Sequence, residues 1–587
     1  MTDFYIDANR GNDANSGLTK DFAWRTLTRL MTKLSTGTTA AGDNFLFESS
    51  SWFVLNNFLR IGSGFDTGSY INGTVGSRIT FDKYDYSSAY SGKPRFQLEF
   101  TPVASDWVRD TTTVDGISVD MYYVDIPFSY TSYSRNSGSI PRVKVNDTLC
   151  EVTYHTYTGW HRGTIPVTDY QVMSNQLQGP SRIYIWTPTG VNPETYYGVG
   201  AIKYSPSASD QAIFKFQNCG NYVSVRNLEA YKAGTLASLT SSSATADITG
   251  FTLEQCRALD VASLFATNTA TTTATYNLKN IELLDNYIYD AAGHGMQIGN
   301  DFNGIHIARN IIDGAALAKT DGGGLYCSGT NTLSQTGLVI EDNTISRVRH
   351  NSIAGTYDGS AVYLEIRTNN AIIRRNTIKD CGLAIQDNSG GSNLIHSNFM
   401  DNCDRVFLQT GPGDYFATIG MQTTKFYNNT AINVGLNYVY PEMQAARLGA
   451  ITLMDGTPAG TTFTTELKNN LIVGRVGGTG STNSASGCMV VSAKYNTNIR
   501  YDNNAVYNFM NVKTDWNFAN PTIPATTITS DPLVRTDGAV SLGSPCIKAG
   551  TSTGLTLTDF ENNLFGITPT VGAFEFNAFR YIEGFFE

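Results

Sequence analysis

At 587 residues the chain far exceeds the roughly 100–200 residues that one compact core serves, so it must divide or repeat. A formal net charge of -10 without basic stripes argues against a nucleic-acid partner. No run approaches the roughly 18 apolar residues of a membrane helix, so no membrane insertion is expected. Charged residues are only 16% and Gly numbers 55, with 32 Tyr against 6 Trp, a composition suited to a polar, extended β protein with a wet aromatic surface.

The opening MTDFYIDANRGND lacks the apolar region of a signal peptide, so Sec export is not expected of the chain as given. Residues 4–33, FYIDANRGNDANSGLTKDFAWRTLTRLMTK, resemble the N-terminal cap of right-handed parallel β-helix proteins of the pectate-lyase-like superfamily. That resemblance implies an opening strand, a Gly- and Asn/Asp-rich turn and an amphipathic helix plugging the open end. Residues 530–550, SDPLVRTDGAVSLGSPCIKAG, with VGAFEF at 571–576, resemble the closing segment found in members of the same superfamily. Its members include lyases, hydrolases, epimerases and adhesins, so the resemblance fixes no substrate.

Residues 1–104 are read as the cap and first coils, with GTVGSRITFDKYD at 74–86 as an early coil. Between 105 and 200 the pattern changes. YYVDIPF, RVKVNDTLCEV and RIYIWTP alternate as strands, and a small inserted β module is predicted there. Its aromatic cluster Tyr154, His155, Tyr157, Trp160 and His161 reads either as the module's own core or as a lip over a sugar groove.

From 201 to 515 a repeat emerges: apolar, x, apolar, x, x, Asn, x, apolar. It reads IELLDNYI at Asn286, IHIARNII at Asn310, LVIEDNTI at Asn343 and AIIRRNTI at Asn376, and continues at Asn398, Asn429, Asn470 and Asn504. Leu228 and Cys256 hold the same slot earlier. The spacings run from 22 to 41 residues, so 22 is one bare coil and the surplus leaves as loops. Alternating short strands broken by Asn and Gly predict an all-β parallel β-helix, with each Asn bonding its own bend and the Asn above and below. Residues 516–587 form a closing segment and an apolar tail containing Phe576, Phe579, Tyr581, Ile582, Phe585 and Phe586, expected to pack on a neighbouring chain or on the helix end. The eight cysteines show no C-x-x-C pair, so neither zinc nor a disulfide framework is predicted, and Cys381 and Cys403 read as small buried residues one coil apart.

TDGGGLYC at 320–327 nearly recurs as YDGSAVYL at 357–364. In successive coils these strands stack at about 4.8 Å, which puts Asp321 level with Asp358 and Tyr326 level with Tyr363. Alternation turns Leu325, Cys327, Val362 and Leu364 inward and Tyr326, Tyr363 and Glu365 outward. The coil below brings GHGMQIG with His294 and Gln297, and the coil above brings GLAIQDN with Gln386. Asp321, Asp358 and Glu365 are the candidate catalytic carboxylates. His294, Gln297, Tyr326, Tyr363, Gln386, Arg349 and His350 are the candidate substrate contacts. Paired carboxyls provide the acid and base or nucleophile of glycoside hydrolysis, and tyrosine rings offer a flat floor for a sugar. Two alternatives stand beside this: Asp-Gly as an ordinary turn signal, or two aspartates clasping calcium. No other cofactor is expected. Arg347, Arg349, His350 and Lys319 near the aspartates would also suit an acidic polysaccharide, where Lys or His could abstract the C5 proton in a lyase reaction. GHG at 293–295 echoes the polygalacturonase family, but that family's Asn-Thr-Asp, Asp-Asp and Arg-Ile-Lys elements are absent.

A Tyr-, Asn- and Gly-rich chain with these caps resembles bacteriophage tailspikes and tail-associated depolymerases. The resemblance implies a glycosidase or lyase acting on a bacterial capsular, O-antigen or exopolysaccharide. It also implies a homotrimer, other phage tail proteins as partners, and a virion or extracellular location. A non-catalytic receptor-binding tail component is the competing expectation.

Overall fold

The computed structural model describes residues 1–576 apart from loop segments, the longest being 63–70, 126–141, 155–171, 270–277, 349–358, 411–421, 436–448, 455–462, 476–486 and 514–524, with 318–321 among the shorter ones. It contains two compact units: Met1–Thr240 with Cys256–Thr267 and Tyr289–Gly293, and Ser241–Gln255 with Asn268–Ile288 and His294–Glu587.

In the first unit the strand Asp3–Ile6 pairs parallel with Asn44–Glu48, which pairs parallel with the predicted early-coil strand Ile79–Tyr84. The amphipathic helix Leu27–Ser35 buries Leu27, Leu30 and Leu34. Thr26 caps it by accepting from the Arg29 N–H, and Asp13 in turn accepts from the Arg25 and Thr26 N–H groups at 2.9 Å each. Gly11 is required in the preceding turn, since a Cβ there would lie 2.2 Å from the Trp24 carbonyl oxygen. Inside the coils Phe45 stacks on Phe81 at 5.1 Å and Phe96 meets Phe214 edge-on at 5.3 Å. The 105–200 stretch holds the antiparallel pairing of Met121–Asp125 with Arg182–Trp186, and its strand Arg142–Val145 pairs antiparallel with Ile202–Ser205, just beyond the predicted boundary. The aromatic cluster from Tyr154 to His161 lies outside the described side chains.

In the second unit every coil contributes up to three strands, each stacking in parallel on its counterpart in the next. Phe302–Ala308, Ile311–Ala315 and Gly323–Ser328, for example, lie under Thr336–Glu341, Thr344–Val348 and Ser360–Glu365. Asparagines 286, 310, 343, 376, 398, 429, 470 and 504 form one ladder. Each Asn side-chain nitrogen also donates to a carbonyl of the coil below, as Asn343 does to Ile307 at 3.0 Å. Buried amides are thereby satisfied on every side, which a bend inside a core demands.

The residue before each of these asparagines is left-handed: Asp285, Arg309, Asp342, Arg375, Ser397, Asn428, Asn469 and Asn503, with φ between 46° and 57°. Four residues after the Asn a second left-handed position recurs at Asp290, Gly314, Arg347, Asp380, Asn402, Asn433 and Asn508. These two bends delimit the short second strand. Cys381 and Cys403 are fully buried free thiols, as are the other described cysteines, Cys219, Cys256, Cys327 and Cys546.

The closing segment docks on the second unit's strands. Val540, Cys546 and Val571 pack with Leu471 and Ala505, joined by Phe576. Ala573 and Phe574 pack with Phe399 and Ile432. The tail residues Phe579, Tyr581, Ile582, Phe585 and Phe586 lie outside the described residues. No helix among the described residues is long and apolar enough to cross a membrane.

Candidate functional site

The duplicated motif occupies the third strands of successive coils, where Tyr326 pairs in register with Tyr363 and Ser328 with Glu365. Gln297 lies beside Tyr326 on one side and Gln386 beside Tyr363 on the other. Leu325, Cys327, Val362 and Leu364 are fully buried, as alternation requires. Burial also pushes the Cys327 thiol pKa upward, so it offers no nucleophile.

Glu365 is the centre of the cluster. The Tyr326 hydroxyl donates to its Oε2, and the Tyr363 hydroxyl donates to its Oε1 at 3.2 Å. Asn388, in register with Glu365 on the following strand, donates from Nδ2 to the Tyr363 hydroxyl at 3.2 Å. The two tyrosine rings meet edge-on with centroids 5.2 Å apart. On the other side the His294 ring stacks on Tyr326 at 4.2 Å and 17°. Its Nδ1 accepts from the Gly323 N–H at 2.9 Å, so a neutral ring carries its proton on Nε2.

The glycines of GHG and GGG make this closeness possible. A Cβ on Gly295 would lie 2.5 Å from the Gly324 carbonyl oxygen, and one on Gly324 would lie 2.8 Å from that of Ala361. Their short contacts let the His294 bend sit directly against the next strand.

The structure corrects the sequence reading of an open floor. His294 and Tyr363 are each only 3% exposed and Gln386 6%, whereas Gln297, Tyr326 and Glu365 keep intermediate exposure. Alternation fixes which side a residue takes, not what covers it. Tyr363 packs against Tyr326, and Gln386 spends its amide oxygen on the Ser360 hydroxyl at 2.8 Å. Arg347, expected to lead into Asp358, is bound to Asp313 at 2.5 Å. Asp387 turns inward with Leu383 and Ile385. Burial raises its pKa, opposed by hydrogen bonds from Ser389, Asn393 and Thr424.

Asp321, Asp358, Arg349, His350 and Lys319 lie outside the described residues. By sequence, each aspartate stands two residues ahead of Gly323 or Ser360, which pair in register. Sequence reasoning missed Asn388 and Ser360. The register of QDN against YLE was the signal for Asn388. Among the described residues no three His, Cys, Asp or Glu side chains gather as cation ligands, and the calcium alternative rests on Asp321 and Asp358.

No protein-family model and no curated protein matches the chain. Among solved structures, the complex of XylC with xylose is 12% identical and aligns over 98% of both chains with a TM-score of 0.57. The chain is a parallel β-helix. A GH136 lacto-N-biosidase from Eubacterium ramulus is 13% identical, with 85% of this chain and 68% of that one covered and a TM-score of 0.43. Pectate lyase Pel9A is 12% identical, with 98% and 97% covered and a TM-score of 0.31. At those scores the second and third comparisons carry no argument about this β-helix.

Proposed function

We propose that this β-helix binds and cleaves a polysaccharide on the face built by Tyr326, Tyr363 and Glu365, by carboxylate-based glycoside hydrolysis. The observation that carries the reading is Glu365 held through both oxygens by tyrosine hydroxyls from two successive coils. A carboxylate positioned so firmly beside aromatic rings is suited to act at a sugar's anomeric centre. Asp321 and Asp358 are its proposed partner carboxyls, Gln297 is the half-open polar neighbour, the buried His294 and Gln386 back the two tyrosines, and Arg349 and His350 are proposed contacts from the adjoining loop. That a structure of like fold was solved with xylose adds support.

The substrate we propose is a bacterial capsular, O-antigen or exopolysaccharide, met by the protein as a homotrimeric component of a phage tail. Incubating the protein with such preparations and measuring new reducing ends tests this reading, and light scattering tests the trimer. The Tyr326 hydroxyl held on Glu365 Oε2 favours a polysaccharide lyase as the second reading, because elimination needs a proton acceptor and a proton donor side by side. Ultraviolet absorbance from an unsaturated uronate in the products would decide for it. Absence of any cleavage with retained glycan binding would favour a receptor-binding protein instead.

A further inference from the structure

In the first unit, a cavity of about 440 Å³ opens between the cap helix Leu27–Ser35 and the strand Trp52–Val54. It falls within the roughly 300–1,000 Å³ typical of small-ligand clefts. Arg25, Thr26, Thr28, Met31, Trp52 and Val54 are among its lining residues. Trp52 is 52% exposed and Val54 69%, unusual for large apolar side chains on a strand.

The Trp52 indole is nevertheless held in place. Its Nε1 donates to Gln97 Oε1 at 3.0 Å, and the Arg95 guanidinium lies 5.4 Å from its ring centroid. Arg95 is itself fixed by Glu229 at 2.6 Å and lies 4.7 Å from the Tyr231 ring. An oriented, half-open indole beside hydroxyls provides stacking for a sugar's C–H face and hydrogen bonds for its edge. The charge is equally specific. The chain carries a formal -10, yet among the described lining residues the only charged side chain is Arg25. The cavity therefore complements an anion, and its flat wall complements a ring.

We propose that this cavity is a second, non-catalytic carbohydrate site that takes one uronic-acid residue of an acidic polysaccharide, its ring on Trp52 and its carboxylate on Arg25. The site would anchor a polymer while cleavage proceeds elsewhere. It extends the carbohydrate reading above but does not depend on Glu365.

Calorimetric titration of the full chain with hexagalacturonate, and with xylohexaose as neutral control, tests it. The wild type should prefer the acidic oligomer. Trp52→Ala and Arg25→Gln should each weaken hexagalacturonate binding by roughly tenfold or more, and Arg535→Gln, which removes a surface arginine of the closing segment, should leave it unchanged. Arg25→Gln, a surface change, guards against a folding defect in the Trp52 variant. Equal binding of the two oligomers by the wild type, wild-type affinity in both cavity variants, or an equal loss of binding in Arg535→Gln would each overturn the proposal. Wild-type cleavage by Glu365→Gln would count against the catalytic reading and leave the titration result standing.

Discussion

The side-chain oxygen of Asn343 accepts two hydrogen bonds from Asn310, one from its backbone N–H and one from its Nδ2, both at 2.9 Å. Asn343 in turn donates to the carbonyl oxygens of Ile307 and Glu341 at 3.0 Å. One side chain thus satisfies buried polar groups in two coils.

Asn343→Ala should therefore be costly although it removes no catalytic group. Each buried group left unmade costs about 1–3 kcal/mol. Urea denaturation should show a clearly lowered midpoint. A loss below about 0.5 kcal/mol, typical of a neutral surface change, would mean the ladder is dispensable.

Glu365→Gln keeps the side chain's shape and removes its charge. Cleavage should fall about 10²- to 10⁴-fold with little change in the thermal unfolding midpoint. Asp321→Asn and Asp358→Asn should behave alike if they complete the site. Variants that keep full activity but melt early would make the duplicated Asp-Gly a pair of turns.

His396 gives a pH dependence. It is buried, and desolvation, reinforced by Arg374 and Arg375, lowers its pKa from 6.5 to about 3. Between those values the unfolded chain binds a proton that the native one refuses. Stability from this group is therefore present above pH 6.5 and lost as the pH falls toward 3, by up to about 1.4 kcal/mol per pH unit. Asp387, raised by burial, acts in the opposite sense, its contribution fading as pH rises above its unfolded value of 3.8. Denaturation midpoints of His396→Asn measured from pH 7 to pH 4 should decline less steeply than the wild type's. Parallel curves would refute the assignment.

Gly295→Ala tests the close approach that seats His294. The new methyl would meet the Gly324 carbonyl oxygen at 2.5 Å and Ile312 at 3.1 Å. Overpacking of this kind costs about 1–3 kcal/mol, and cleavage should drop because His294 must move off Gly323. An equally stable, equally active variant would show that the bend has slack.

The ladder was legible in the sequence because only asparagine meets both demands of that slot, an acceptor for the coil before and a donor to the carbonyls around it. The left-handed bends were not, because Asp285, Arg309, Asp342, Arg375 and Ser397 share no side-chain type, only a backbone angle. Likewise the alternation of LYC and VYL told which way Tyr326 and Tyr363 point. The burial of Tyr363 and His294, and the grip of both tyrosines on Glu365, depend on side-chain torsions and on neighbouring coils that no pattern within one strand records. The fold was thus readable from repetition, while the site was readable only as a neighbourhood.

The asparagine ladder has a direction, since each rung's oxygen accepts from the rung before it and needs a successor to occupy its own N–H. A stack with such polarity could go on accepting strands, from its own sequence or from another molecule, wherever it stops. Among the described residues it stops at Asn504, beside which the returning chain pairs through the backbone: the Ile528 N–H donates to the Asn504 carbonyl at 2.9 Å and its carbonyl accepts from the Val506 N–H at 2.8 Å. That one bridge occupies part of the last coil's backbone edge, the kind of edge on which a further strand would otherwise pair.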